Sequence, residues 1–255
     1  MRLPTSEKLR LLCNRPLAIL PGWAWSPHDD VERADLPVAE LVAGVAVIPV
    51  RGVLSNGPSW WGCSYGGIRR AFLAALAADD VRAVVLDVDS PGGTVEGCFD
   101  LADLIYRARG TKPVHAILSE SAYSAAYALA SACDRIAVPR TGGTGSVGVI
   151  AMHADLSQML GKAGVEVTVI RYGERKAEGN EFEPLSKGAL TRMQADVDAM
   201  GELFVETVAR NRGLKASAVR AQQAGTYLGA AGVTAGLADA VQAPDEAFGE
   251  LLASL

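Results

Sequence analysis

Histidine and cysteine are scarce in this chain of 255 residues: three histidines, His28, His115 and His153, and four cysteines, Cys13, Cys63, Cys98 and Cys133. The cysteines form no CxxC pair and no histidine cluster accompanies them. That excludes a zinc-ligand pattern and a dense disulfide framework, and implies reduced, partly buried thiols. No metal or cofactor is expected. An excess of positive charge is also lacking. Lys and Arg number 24 against 29 Asp and Glu, the formal net charge is −5, and no Lys/Arg cluster exceeds a pair, so there is no basic footprint for nucleic acid. Long hydrophobic runs are missing as well. The apolar stretches over 41–50 and 84–88 fall far short of the roughly 18 to 20 residues that cross a bilayer. The charged start, Met1-Arg2-Leu3-Pro4-Thr5-Ser6-Glu7-Lys8-Leu9-Arg10, holds no apolar segment before a small-residue cleavage site. Residence in the cytoplasm without a membrane anchor is the expectation.

What is present is an ordinary globular composition, 49% hydrophobic and 21% charged, of a length that suits one large α/β domain. Residues 1–42 carry Pro4, Pro16, Pro21, Pro27 and Pro37 together with Trp23 and Trp25. Such a density of helix breakers predicts an irregular N-terminal arm that packs on something, followed by the domain proper over 43–255. From Gly44 strand and helix patterns alternate. Strands are predicted over 45–50, 84–88, 113–118, 136–138 and 165–170, and helices over 67–78, 95–108 and 125–132. A Gly-rich turn is expected over 142–148. A long helix follows from Ser186 to Arg212, with Ala189, Met193, Val197, Met200 and Phe204 on one face, then a last helix over 216–225 and a turn-rich tail over 228–241. The period of βα units predicts a parallel sheet covered by helices.

Three small-residue motifs stand in fixed order: Asp89-Ser90-Pro91-Gly92-Gly93, Tyr123-Ser124-Ala125-Ala126-Tyr127 and Thr144-Gly145-Ser146-Val147-Gly148-Val149, with Lys176 downstream. The Gly-Gly turn follows an apolar strand and would present free backbone amides able to hold an oxyanion. Ser124 sits where a polar loop gives way to an alanine-rich helix, which places its hydroxyl near a helix N-terminus. A serine hydroxyl needs a base that works near neutral pH. His28 lies in the proline-rich arm, and His115 lies inside an apolar run, as a packed core histidine does. His153 follows the Gly-rich turn and stays a candidate base. A lysine fits better, because burial can lower its pKa far enough to serve, and Lys176 is the candidate. Taken singly, Ser124 also fits a helix N-cap, Gly92-Gly93 a plain turn and Lys176 a solvated surface lysine. Their order and joint presence carry the reading.

These residues resemble peptidase family S49, the signal peptide peptidase A type, and within it the phage capsid or head-maturation proteases. The resemblance spans roughly 45–241. It rests on Val-Asp-Ser-Pro-Gly-Gly, on Ser-Ala-Ala-Tyr-Ala-Leu-Ala followed by Cys-Asp-Arg-Ile, and on Thr-Gly-Ser-Val-Gly-Val. Arg-Tyr-Gly-Glu-Arg-Lys-Ala-Glu-Gly-Asn and the late Gly229 to Asp239 segment add to it. It implies an α/β fold of the ClpP/crotonase type, with stacked ββα units and a helix-covered parallel sheet, assembled as a homo-oligomeric ring. It also implies a serine endopeptidase in which Ser124 is the nucleophile, Lys176 the general base and Ser146 the hydroxyl that orients that lysine. Gly92 or Gly93, with Ala125, would supply the oxyanion amides. The resemblance further implies that one subunit's serine is completed by its neighbour's lysine, and that the substrates are peptides or proteins, capsid or scaffold proteins among them. Glu174 and Arg175 beside the base, and Ala125-Ala126 in place of the Gly-Gly of the cellular branch, depart from many members. Two other classes stay open: a crotonase-like acyl-CoA enzyme, which would need an acidic base and a CoA pocket, and a non-catalytic capsid-assembly component.

Overall fold

A computed structural model describes residues 16–19, 39–57 and 63–255. The expectations for Trp23, Trp25, His28, Cys13 and most of the proline-rich arm lie outside those residues. In chain order the elements are β1 (Leu17–Ile19), β2 (Glu40–Val42), β3 (Val45–Arg51), α1 (Tyr65–Ala77), β4 (Ala83–Ser90), β5 (Gly92–Thr94) and α2 (Cys98–Arg107). They continue with β6 (Val114–Tyr123), α3 (Ala125–Ser131), β7 (Arg135–Val138), β8 (Gly143–Gly145), α4 (Ser157–Lys162) and α5 (Lys187–Arg212). The last are α6 (Ala216–Ala221), β9 (Thr226–Leu228), α7 (Ala230–Thr234), β10 (Ala240–Val241) and α8 (Pro244–Ser254).

The main sheet has the order β10-β7-β6-β4-β3-β2. Its central pairs are parallel; the edge strand β2 runs antiparallel to β3, and beside this path β8 pairs parallel with β6 while β9 pairs antiparallel with β8. Successive side chains of a strand face opposite sides, and β4 sorts its residues accordingly. Val84, Leu86 and Val88 join the large core under α1, α2, α3 and α5. Ala83 and Val85 face the other way, where with Val45, Ile117 and Ala137 they meet Ala247 and Leu251 of α8. Helices thus cover both faces, as a mostly parallel sheet requires. Among the described residues no helix is long and apolar enough to cross a membrane.

Two features lift the functional motifs out of this sheet. The β4–β6 register shifts between Val88 and Ser90, and β6 runs on past β7 so that its last residues, Ala122 and Tyr123, pair with Thr144 and Gly145 of β8. All three motifs therefore emerge at the C-terminal ends of neighbouring parallel strands. The helix that follows Ser124 is buried along its whole length. Its C-terminal carbonyls, which no helical N–H can reach, are held by Arg109: Nε donates to Ala132 at 2.9 Å and a terminal nitrogen donates to Ser131 at 3.0 Å and Cys133 at 2.5 Å. Tyr127 Oη donates to the Leu237 carbonyl at 2.9 Å and Asn211 Nδ2 to Ser131 Oγ at 3.0 Å, tying the helix to the C-terminal third of the chain.

Several expected elements differ. The stretch over 165–170 alternates like a strand but forms none, because a strand needs a ladder partner and its own chain offers none there. The expected turn over 142–148 contains β8, drawn into pairing by the overlong β6. The helix begun at Ala216 stops at Ala221, and Gln223 and Ala224 then adopt left-handed φ of 48° and 55°. The turn-rich tail includes β9, α7 and β10, and α8 closes the chain beyond it. Within the proline-rich N-terminal region the described pieces are strands: β1 pairs with β5 and β2 with β3. The long helix begins as expected, with Ser186 Oγ accepting from Ala189 N–H at 3.1 Å as its N-cap.

Candidate active site

The Asp-Ser-Pro-Gly-Gly turn is shaped from within. Ser90 Oγ donates to the Gly52 carbonyl at 2.7 Å and accepts the Gly92 N–H at 3.1 Å, so Gly92 spends its amide inside the turn. One residue on, the strand edge changes side. Leu54 N–H donates to the Gly92 carbonyl at 2.9 Å and Thr94 N–H donates to the Leu54 carbonyl at 3.0 Å. The alternation of an extended chain then turns the Gly93 N–H away from Leu54. Both glycines are sterically required. A Cβ on Gly93 would lie 1.8 Å from the Leu54 oxygen, while Gly92 has a φ of +103° and its Cβ would lie 2.9 Å from Ser124 Cβ and 3.0 Å from the Ala125 nitrogen.

Ser124 itself has φ 53° and ψ −123°, a conformation that costs a residue bearing a Cβ roughly 1–3 kcal/mol and persists only where its surroundings impose it. Here they do. Ser124 N–H donates to Gly145 at 2.8 Å and the Ser124 carbonyl accepts from Ala128 N–H at 2.9 Å, opening α3. Ser124 Oγ lies 3.5 Å from the Gly148 carbonyl. The next amide, that of Ala125, occupies the first turn of the helix and has no acceptor among the described residues. Ser146 also has a left-handed φ, 55°, and its N–H donates to Gly225 at 2.8 Å. It follows Gly145, the residue that holds the Ser124 backbone. Gly92, Gly93, Ser124, Ala125 and Ser146 are thus gathered at one end of the sheet.

Lys176 is not among them. It lies exposed in a turn closed by its own N–H to the Gly173 carbonyl at 3.1 Å, and its ammonium has no hydrogen bond to Ser124. It belongs to a stretch, 148–188, in which no residue is buried. There Ile170 is 95% and Tyr172 100% exposed, with Met159, Val165, Val167 and Phe182 also exposed. The histidines do not take its place. His153 Nε2 pairs with the Asn180 carbonyl at 2.9 Å. His115 is half-buried on β6, where burial and the nearby Arg135 hold its imidazole below the usual range.

Cys98 sits directly beneath the serine turn, its Sγ 3.6 Å from the Ala125 carbonyl. Burial pushes its thiol up to about 12, so it is a protonated, inert neighbour and not a competing nucleophile. Cys63 and Cys133 are likewise free and buried. Three groups near the site were not singled out by sequence reasoning. Ser90, inside a quoted motif, shapes the turn with its hydroxyl. Leu54 contributes only backbone, for which no sequence signal exists. The third is Ala18 of β1, whose carbonyl oxygen would stand 2.2 Å from a Cβ on Gly92.

The chain is similar to known proteins. It is 42% identical to the Head-tail preconnector protein GP5 of Enterobacteria phage P21 over 207 residues, covering 79% of this chain and 41% of that protein. It is 37% identical to the Capsid assembly protease C of Escherichia phage lambda over 205 residues, covering 78% of this chain and 47% of that one. The chain thus spans less than half the length of both relatives. In fold it is similar to a crystal structure of an enoyl-CoA hydratase/isomerase family member, with a TM-score of 0.50 and 15% identity over 85% of this chain and 74% of the other. That likeness establishes a crotonase-type α/β fold and nothing about chemistry. The sequence profile described as Peptidase family S49 matches residues 107–254, more than half of the chain and the part that contains Ser124, Ser146 and Lys176. By that match, on the motifs gathered around Ser124, the chain belongs to peptidase family S49.

Proposed function

We propose that the chain is a serine endopeptidase that processes capsid or scaffold proteins during phage head assembly, acting in the assembling head or the host cytoplasm. The observation that carries the reading is the imposed backbone of Ser124, which sets its hydroxyl beside the free Ala125 amide and the bare Cα of Gly92. In this reading Ser124 Oγ attacks the carbonyl carbon of a substrate peptide bond. The amides of Gly93 and Ala125 receive the oxyanion, Gly93 being favoured over Gly92 because the Gly92 N–H is engaged by Ser90. A base takes the serine proton and passes it to the leaving amine, and water then hydrolyses the acyl-enzyme.

The proposed base is Lys176, with Ser146 orienting it, supplied to Ser124 by a neighbouring copy in a ring. Two facts support this arrangement: Lys176 is exposed and makes no hydrogen bond to the serine of its own chain, and the stretch that bears it exposes an apolar surface of the kind that marks protein contacts. A head-to-tail contact of that kind closes into a ring if its rotation allows. The phage relatives, named for capsid assembly and for the head-tail preconnector, point to the substrate class. Incubating the protein with scaffold and capsid proteins and with a mixed peptide pool tests the reading. Wild type should cleave and Ser124→Ala should lose at least about 10⁴-fold in rate. Equal cleavage by the two would refute it.

A further inference from the structure

We propose that β1 lies in the acyl site as a substrate, and that Ser124 cuts the chain between Ala18 and Ile19. This rests on the reading of Ser124 as a nucleophile. β1 pairs antiparallel with β5, with Leu17 opposite Thr94, Ala18 opposite Gly93 and Ile19 opposite Gly92. Val95 N–H donates to the Pro16 carbonyl at 3.4 Å. Hydrogen-bonded pairs alternate along an antiparallel ladder, so Ala18 and Gly93 form the next such pair, and the Gly93 N–H is aimed at the Ala18 carbonyl. Three groups border a single point beside Gly92: a Cβ there would be 2.2 Å from the Ala18 oxygen, 2.9 Å from Ser124 Cβ and 3.0 Å from the Ala125 nitrogen. The oxygen of a peptide bond therefore borders the same small space as Ser124 Cβ and the Ala125 nitrogen, on the side to which the Gly93 N–H points.

Burial agrees. Ser124 is 1% exposed and Ala18 0%, so the residue that must meet a substrate is already covered, with the Ala18 carbonyl beside the Gly92 turn that adjoins it. Ala18 packs into the main core cluster, where its side chain is fully buried. Recognition by strand addition uses main-chain hydrogen bonds, so departure of β1 leaves the same edge of β5 open to other extended segments. The reaction is hydrolysis and needs only water as co-reactant. Ser124 Oγ bonds to the Ala18 carbonyl carbon as the carbon–nitrogen bond to Ile19 breaks, and the serine proton goes through the base to the Ile19 nitrogen. Water then adds hydroxide to the Ala18 carbon and returns a proton to Ser124 Oγ, leaving Ala18 with a free carboxylate and a new chain starting at Ile19.

The test is intact-mass measurement and N-terminal sequencing of the purified full chain over time, beside Ser124→Ala, with cleavage of an added peptide pool measured on the same samples. A synthetic peptide of residues 12–24, and its Ala18→Trp counterpart, serve as substrates added in trans and do not depend on how any variant folds. The expected result is conversion of the wild type to a chain beginning at Ile19, no conversion of Ser124→Ala, cleavage of the peptide after Ala18, and loss of that cleavage with tryptophan. A wild-type chain that cleaves the pool but keeps residues 1–18, or is cut elsewhere, overturns the proposal and leaves the protease reading standing. If neither the chain nor the pool is cut, the protease reading fails and the proposal with it.

Discussion

Gly92 approaches Ser124 so closely that a single methyl group on the glycine would stand 2.9 Å from the serine Cβ. The two residues are adjacent only because one has no side chain, and the same gap admits a carbonyl oxygen. Gly92→Ala, at a φ of +103°, should therefore lower kcat/KM for an added peptide by at least about 10²-fold, the usual scale for disturbing an oxyanion donor. Wild-type turnover in that variant would mean that the turn does not form part of the site.

Subunit mixing tests whether Lys176 serves the serine of a neighbouring copy. Ser124→Ala and Lys176→Met should each be inactive, while a mixture that exchanges subunits should regain part of the activity, since some interfaces would pair an intact serine with an intact lysine. Exchange demonstrated by labelled subunits without any recovery would rule out the shared site. His153→Ala should stay largely active.

Arg109 binds three carbonyls at the end of the helix that Ser124 opens. Removing a charged donor from such acceptors costs about 1.5–3 kcal/mol. Arg109→Ala should lose that much in urea unfolding, and a loss below about 0.5 kcal/mol would show the clamp to be idle.

Asp239 predicts an acid response. Burial alone would raise its carboxyl, but the Arg212 guanidinium and the Ile136 N–H outweigh burial and hold it below the usual carboxylate range. A group depressed on folding stabilises the native state above its unfolded value, about pH 4. That stabilisation disappears as the pH falls through the lower folded value. Between pH 6 and pH 2 the wild type should lose more stability than Asp239→Asn, and parallel Tm–pH curves would contradict the linkage.

Burial makes Cys98 a control for the chemistry. With its thiol pushed up to about 12, it should resist iodoacetamide at pH 8 in the native state and react once the chain is unfolded, as peptide mapping would reveal. Rapid native labelling of Cys98 would mean that the floor of the serine turn opens.

How much of this was legible beforehand follows from the range of each interaction. Val84, Leu86 and Val88 announce a buried strand by composition alone, and Ser186 announces a helix start because its cap is made to Ala189, three residues on. The stretch over 165–170 has the strand pattern too, yet forms no strand, because pattern is local and a ladder partner is not. The final helix escaped notice because Pro244 to Ser254 packs its Ala247 and Leu251 against a sheet face whose other residues lie far back in the chain.

The sequence by itself determined the alternation of strand and helix, the order of the three small-residue motifs and the presence of Ser124 and Ser146 within them and Lys176 downstream, since these depend on side-chain type and near-neighbour spacing. Only the tertiary structure decided which glycine turns its amide to the site, because that depends on Ser90 Oγ and on the backbone of Leu54. It also left Lys176 in the open, and it laid Ala18 against Gly92, a residue far along the chain. Backbone hydrogen bonds between distant segments carry no side-chain signature, and a residue's distance from its partners is set by the packing of everything between them.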